Sequence, residues 1–262
     1  MTYYSLFRAV AFMGLTLPVA CTQTPMESSA TLSAEQRLLS GQSATVPDTS
    51  GYHLAAPQDP NGIGKYYQGR QIAHVMGHEG AEWLERNDRQ QEEGTDVLLR
   101  ELKLKPTDVV ADIGAGTGYF SFRISPQVPK GKVLAVDIQP EMVKYLRDHK
   151  VQNKALNVEP VLGTVRNPNL PAGGVDLVLI VDAYHEFDHP REMMRAIRTA
   201  LRPGGRLALV EYRAEDPSVP IKRIHKMSEK QARKEVEAMG LEFVENVQTL
   251  PQQHLLIFQR PK

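Results

Sequence analysis

Five short, almost wholly apolar runs punctuate the second half of the chain, at 109–113, 133–136, 177–181, 207–210 and 255–258, with helix-like segments between most of them. A strand with one wet face alternates polar and apolar side chains, so a strand without alternation is covered on both sides. Covered strands that alternate with helices build a parallel sheet. The expected fold class is α/β, doubly wound. A further strand at 158–162 contains Pro160, which has no amide proton for a ladder and so belongs at a sheet edge.

Local punctuation supports this division. Ser228 with Gln231 reads as a capping box ahead of Ala232, Val236 and Met239 at helical spacing, and Gly240 closes that segment. Pro203, Gly204 and Gly205 end a helix carrying Met194, Ile197 and Leu201 and turn the chain into the next strand. Upstream, Ile72, Val75, Met76, Trp83 and Leu84, then Val97, Leu98, Leu99 and Leu102, fall at helical spacings, so a helical cap is expected over 65–104 and the α/β core over 105–262.

The N-terminus follows other rules. A head containing Arg8 leads into an apolar core at 9–20 and then Cys21, the only cysteine, so residues 1–21 read as an export signal. That core is far shorter than the ~20 apolar residues a spanning helix needs. The run LPVAC resembles the lipobox of bacterial lipoproteins, with Pro18 where leucine is usual, and the resemblance implies a lipid anchor through Cys21; plain secretion or no cleavage remains the alternative. Residues 22–64, rich in Ser, Thr, Pro, Gly and Gln, lack apolar area to offset ordering entropy and are expected to form a flexible linker. The implied location is the cell envelope, facing the periplasm.

With 31 basic and 31 acidic side chains, the chain carries no net charge to draw it to nucleic acid, and a small-molecule partner is expected. The stretch ADIGAGTGYFS, at 111–121, addresses that partner. Glycines in a strand-turn-helix unit let backbone approach a ligand, and the helix start favours electronegative groups. A dinucleotide fingerprint requires a sixth-position glycine, and counting from Gly114 that position is Tyr119. An NAD-dependent oxidoreductase is disfavoured on this ground. Asp137, closing the second strand, can accept hydrogen bonds from both hydroxyls of a ribose.

The series VVADIGAGTGYFS, VLAVDI, DLVLIVDAYHEFDHP and LRPGGRLALVE resembles the successive motifs of class I S-adenosylmethionine-dependent methyltransferases over about 98–259. The resemblance implies a seven-stranded, mostly parallel Rossmann-like sheet with an antiparallel final strand, and adenosylmethionine as cofactor. It places Gly114, Gly116 and Gly118 at the methionine and ribose portion, Asp112 at the amino-acid end, Asp137 at the ribose and Ile138 against the adenine. Thr164 occupies the adenine-side position where the family often has aspartate, and Asp182 ends the fourth strand beside the site. The stretches GRQIAHVMG at 69–77 and AEWLER at 81–86 are similar to a bacterial group of exported methyltransferases.

Methyl transfer is an in-line displacement, so the protein must mainly align the acceptor and exclude water. The acceptor end receives Tyr184, His185 and Glu186. His185 is a candidate base with Glu186 or Asp182 orienting its ring, and Tyr184 a candidate wall. Residues 66–83 are a candidate acceptor cover. HEFDH at 185–189 also fits HExxH, the zinc-protease signature, but Pro190 suits the first turn of a helix that starts after this motif, which removes the required geometry. Asp182 and Glu211 invite magnesium without an evident third ligand, and no metal is assigned. A non-catalytic envelope lipoprotein that binds an adenosine-like ligand or a partner on the same fold is the alternative function.

Overall fold

A computed structural model describes residues 50–262, so the expected signal, the Cys21 anchor and most of the expected linker lie outside the described residues. Ten strands run in chain order: β1 (Tyr52–Leu54), β2 (Gly62–Tyr67), β3 (Arg70–Ala73), β4 (Val109–Ile113), β5 (Lys132–Asp137), β6 (Val158–Leu162), β7 (Val175–Val181), β8 (Leu201–Tyr212), β9 (Glu242–Asn246) and β10 (Gln253–Gln259). Seven of them form one sheet in the order β6-β5-β4-β7-β8-β10-β9. Strands β4 to β8 pair in parallel, while β10 runs antiparallel to both neighbours. The five apolar runs are all strands, and Pro160 is on the edge strand β6.

Helices α1 (Ala81–Leu84), α2 (Arg89–Glu93), α3 (Thr95–Glu101), α4 (Tyr119–Ile124), α5 (Pro140–His149), α6 (Pro190–Ala200) and α7 (Glu229–Glu237) fill the connections. One core joins Val110, Val133, Leu177 and Leu179 to Leu98 of α3 and Phe120 and Ile124 of α4; the opposite core joins Ala111, Leu134, Val178 and Ile180 to Met194 and Ile197 of α6 and Val236 of α7. Neighbouring strand residues feed opposite cores and are alike buried, which is why the runs show no alternation. The Ser228 hydroxyl accepts the Gln231 amide at 3.1 Å, capping α7. No described helix is long and apolar enough to cross a membrane.

The segment before α1 departs from the helical expectation. Strands β1, β2 and β3 form a separate antiparallel sheet, so residues 52–54 and 62–64 of the expected linker are paired backbone and 70–73 is strand. Tyr67 opposes Arg70 across Gln68 and Gly69, which both have positive φ, the signature of a tight two-residue hairpin. Gln-Gly is a weak sequence cue for that turn, and the Ile72, Val75, Met76 spacing is too short to separate helix from strand. Of the expected cap, α1 to α3 and the 3-10 turn His78–Gly80 ahead of α1 are helical.

This small sheet is fastened to the core by polar contacts. Arg70 donates through Nε and Nη2 to Glu235 at 2.8 and 3.0 Å and through Nη1 to the His185 carbonyl at 3.0 Å. The Tyr52 hydroxyl donates to Glu192 at 2.7 Å, and Lys65 pairs with Asp188 at 3.1 Å.

Candidate active site

Strands β4, β5, β7 and β8 end at one edge of the sheet, and parallel strands concentrate ligand sites at their carboxyl ends. Gly114 and Gly116 turn the chain there with φ of +77° and +54°. A Cβ on Gly114 would meet the Ala183 Cβ at 2.8 Å, and one on Gly116 would meet Leu84 Cδ1 at 2.6 Å. The loop therefore presses against β7 on one side and α1 on the other, with bare backbone toward the space between.

That space is a cavity of about 750 Å³, within the usual range for a small-molecule site. Gly114, Gly116, Asp137, Asp182, His185 and Glu186 all line it. Asp137 accepts the Gly116 amide at 2.9 Å and the Gln139 amide at 2.9 Å, and burial pushes its carboxyl above the usual range. An apolar side pocket of about 70 Å³ opens beside Asp137 between Ile138, Val165 and Phe187.

Four expected contacts are placed elsewhere. Asp112 lies beneath the loop, accepting the Ser121 hydroxyl at 2.6 Å, with burial raising its carboxyl to about 6; it orders α4 rather than facing the cavity. Gly118 has its Cα against Phe122 and Leu146, as the first turn of α4 packs on α5. The Thr164 amide and hydroxyl both donate to the Asn167 carbonyl in an exposed turn, which brings Val165 to the side pocket in its place. Tyr184 is wholly buried in the core behind the site, edge-on to Phe187 with Arg70 over its ring, so it walls nothing.

The 3-10 turn Tyr184–Glu186 holds His185 and Glu186, and α6 begins only at Pro190, so His185 and His189 never share a helix. His185 Nδ1 donates to Glu211 Oε2 at 2.6 Å, while Glu211 Oε1 accepts the amides of Tyr184 at 2.9 Å and His185 at 3.3 Å. Burial lowers the basicity of this imidazole, but the carboxylates of Glu211 and Glu186 together outweigh it, leaving its pKa above the usual histidine value. Its Nε2 faces His225 Nδ1 at 3.1 Å. His225 is pushed down to about 4 by burial, then by His185 and Lys222. Glu186 accepts the Met76 amide at 3.1 Å through Oε2. Asp182 directly follows β7 with φ of +47°, a strained conformation of the kind found at binding sites, and its Oδ1 is buried without a hydrogen-bond partner. Burial, with Glu93 and Glu211 nearby, raises that carboxyl well above its usual range.

Sequence reasoning missed the opposite wall. Arg89 donates to Glu93 at 2.9 Å, Arg86 donates to the other Glu93 oxygen at 2.6 Å, and all three line the cavity. In the sequence they belong to RNDRQQEE, at 86–93, which looks like a solvated helix face. The signal was the overlap of their positions with Tyr119 and Phe120, over whose rings Arg89 lies, and that is visible only in three dimensions.

The family described as Methyltransferase domain matches residues 110–205, the stretch that carries the loop, Asp137 and the His185 turn. Those residues match a methyltransferase domain, and the seven-stranded sheet that carries them has the class I methyltransferase fold. An uncharacterised methyltransferase-like protein of Schizosaccharomyces pombe is 36% identical over 134 residues, covering 51% of this chain and 49% of its own. An uncharacterised methyltransferase of Mycobacterium bovis is 43% identical over 102 residues, 38% of each chain. The chain thus spans about half, or less, of the length of these curated relatives. A crystal structure of a SAM-dependent methyltransferase from Aquifex aeolicus shares the fold of the methyltransferase domain, with a TM-score of 0.67 at 23% identity over 71% of this chain and 99% of that one.

The site's own features fit the cofactor that such a domain implies. Two glycines whose positions admit no Cβ line the cavity with backbone, the buried Asp137 carboxylate is held against that backbone, an apolar slot adjoins it, and Asp182 Oδ1 lacks a donor.

Proposed function

We propose that the protein transfers the methyl group of adenosylmethionine to a small molecule whose reacting atom docks beside His185. One observation carries this reading: a single cavity connects the Gly114 to Gly116 backbone and Asp137 with His185, Glu186 and His225. When bound, adenosylmethionine supplies a methyl on a positively charged sulfur, an electrophile that needs only an aligned acceptor. Asp137 would take the ribose hydroxyls, Ile138 and Val165 the adenine faces, Arg86 and Arg89 the carboxylate, and Asp182 the ammonium. The 3-10 turn then presents His185 to an acceptor oxygen, nitrogen or sulfur that must lose a proton.

Calorimetry with adenosylmethionine, its demethylated product and NAD tests the cofactor, and methyl transfer from labelled adenosylmethionine into extracts tests catalysis. Binding of NAD alone would overturn the reading, and binding of adenosylmethionine without transfer to any acceptor would favour a non-catalytic role. His185→Ala is expected to cut turnover at least about tenfold with adenosylmethionine affinity unchanged. Unchanged turnover removes His185 from the chemistry.

Export with acylation at Cys21 is part of the same proposal, supported by the apolar run at 9–20 and the LPVAC match. Cell fractionation of Cys21→Ser should move the protein from the membrane to the soluble fraction. Identical membrane association would refute the anchor.

A further inference from the structure

Three side chains at the acceptor end of the cavity converge in a way that hydrogen bonding alone does not explain. His185 Nε2 and His225 Nδ1 are 3.1 Å apart, a hydrogen-bond distance. Glu186 Oε1 lies 3.8 Å from the first and 3.7 Å from the second, too far to bond either and yet nearly equidistant from both. The partner oxygen of Glu186 is tied to the Met76 amide, so Oε1 is aimed at the imidazoles by construction. A point equidistant from corners separated by 3.1, 3.8 and 3.7 Å lies about 2.1 Å from each, which is the bond length of zinc to imidazole nitrogen and carboxylate oxygen.

We propose that His185, Glu186 and His225 bind a zinc-class divalent ion. The donor set is two imidazoles and one carboxylate, and imidazole-rich sites favour zinc and its neighbours over magnesium or calcium. His185 has the orientation that metal-ligating histidines share: its second ring nitrogen donates to the buried Glu211 carboxylate at 2.6 Å, which leaves the Nε2 lone pair turned toward the ion's position. The nearest cations are engaged elsewhere, Lys222 with Asn61 at 2.9 Å and Arg70 with Glu235 and the His185 carbonyl. The same three ligands line the large cavity, so the remaining coordination position opens into it. Three protein ligands and an open position are the arrangement of a reactive rather than a structural ion. What fills that position rests on the methyl-transfer reading: an acceptor oxygen or sulfur, whose proton the ion, in place of His185 as base, would make easier to lose. Binding of the ion itself does not depend on that reading.

The site escaped the sequence because its parts are 40 residues apart. HExxH in the sequence names His189 as the second imidazole, whereas the fold supplies His225 from the 3-10 turn Arg223–His225.

The test uses the untagged full-length chain stripped with a chelator and titrated with Zn²⁺ and with Co²⁺, whose visible absorption reports nitrogen ligands. One equivalent is expected to bind, with the absorption of a four- or five-coordinate nitrogen-ligated ion. His225→Ala and Glu186→Gln should each weaken binding roughly a hundredfold, and Glu211→Gln, which removes only the orienting carboxylate, about tenfold to a hundredfold. His74→Ala, a cavity-lining histidine outside the cluster, should leave the affinity unchanged. Thermal melts confirm that each variant is folded; His225 is on a partly exposed turn, so its replacement keeps the test open if a buried variant misfolds. No tight equivalent, or binding indifferent to both His225→Ala and Glu186→Gln, overturns the site. Adenosylmethionine titrated into the same stripped protein separates the claims, since loss of metal binding with intact cofactor binding sinks only the ion, and the converse sinks only the methyl-transfer reading.

Discussion

Glu235→Ala is expected to destabilise the domain by about 3–5 kcal/mol, because it strands a buried guanidinium. Glu235 is fully buried on α7 and accepts two bonds from Arg70 and one from Gln231 at 2.8 Å. Attraction between the two charges offsets a large desolvation cost, so removing one partner exposes the cost of the other. The paired replacement Arg70→Met with Glu235→Leu should recover most of the loss, since an apolar pair of similar volume often matches a buried ion pair. It should not recover turnover, because Arg70 also holds the His185 carbonyl at 3.0 Å. Urea unfolding and turnover, measured on the single and double variants, check both statements. A single variant as stable as the wild type would mean that Arg70 finds water or another acceptor.

Asp137→Ala should lower adenosylmethionine affinity at least about a hundredfold, the worth of two hydrogen bonds to a charged acceptor. Its carboxylate already accepts the Gly116 and Gln139 amides, so it is aimed before any ligand arrives. The ionised form is the acceptor that ribose requires. Because burial raises this carboxyl, affinity should be full at alkaline pH and decline as pH falls through a range above the ordinary ~3.9 of aspartate. Calorimetry at pH 8 and pH 5 on wild type and Asp137→Asn reads both effects, and the asparagine variant should show a weaker pH dependence. Wild-type affinity in Asp137→Ala would remove the ribose contact and with it the placement of the cofactor.

Much of the architecture was written in local pattern. The apolar runs became β4, β5, β7, β8 and β10 because a strand covered on both faces has no polar register to keep. Pro160 marked the sheet edge because a missing amide proton is tolerated only where no partner strand waits. The hairpin of β2 and β3 was not legible, since a four-residue strand behind a Gln-Gly turn carries too few positions to set a period.

The site divides along the same line. Gly114, Gly116 and Asp137 could be placed from the sequence because strand, turn and helix start are contiguous, and their positive φ and hydrogen bonds arise within a few residues of the strand ends. Asp112, Gly118 and Tyr184 belong to the same motifs, and Thr164 follows the third strand of the core, but all four turn away, and only packing decides which side of a short turn faces a cavity. Arg89, His225 and the Arg70 to Glu235 pair come from segments whose separation along the chain carries no periodic signal. By itself, then, the sequence determined the covered parallel sheet and the glycine turn with the Asp137 carboxylate beside it, because steric and hydrogen-bonding preferences of adjacent residues suffice for both. Tertiary structure alone decided which distant side chains meet at the strand ends, because that depends on how whole helices and a separate small sheet cross the core.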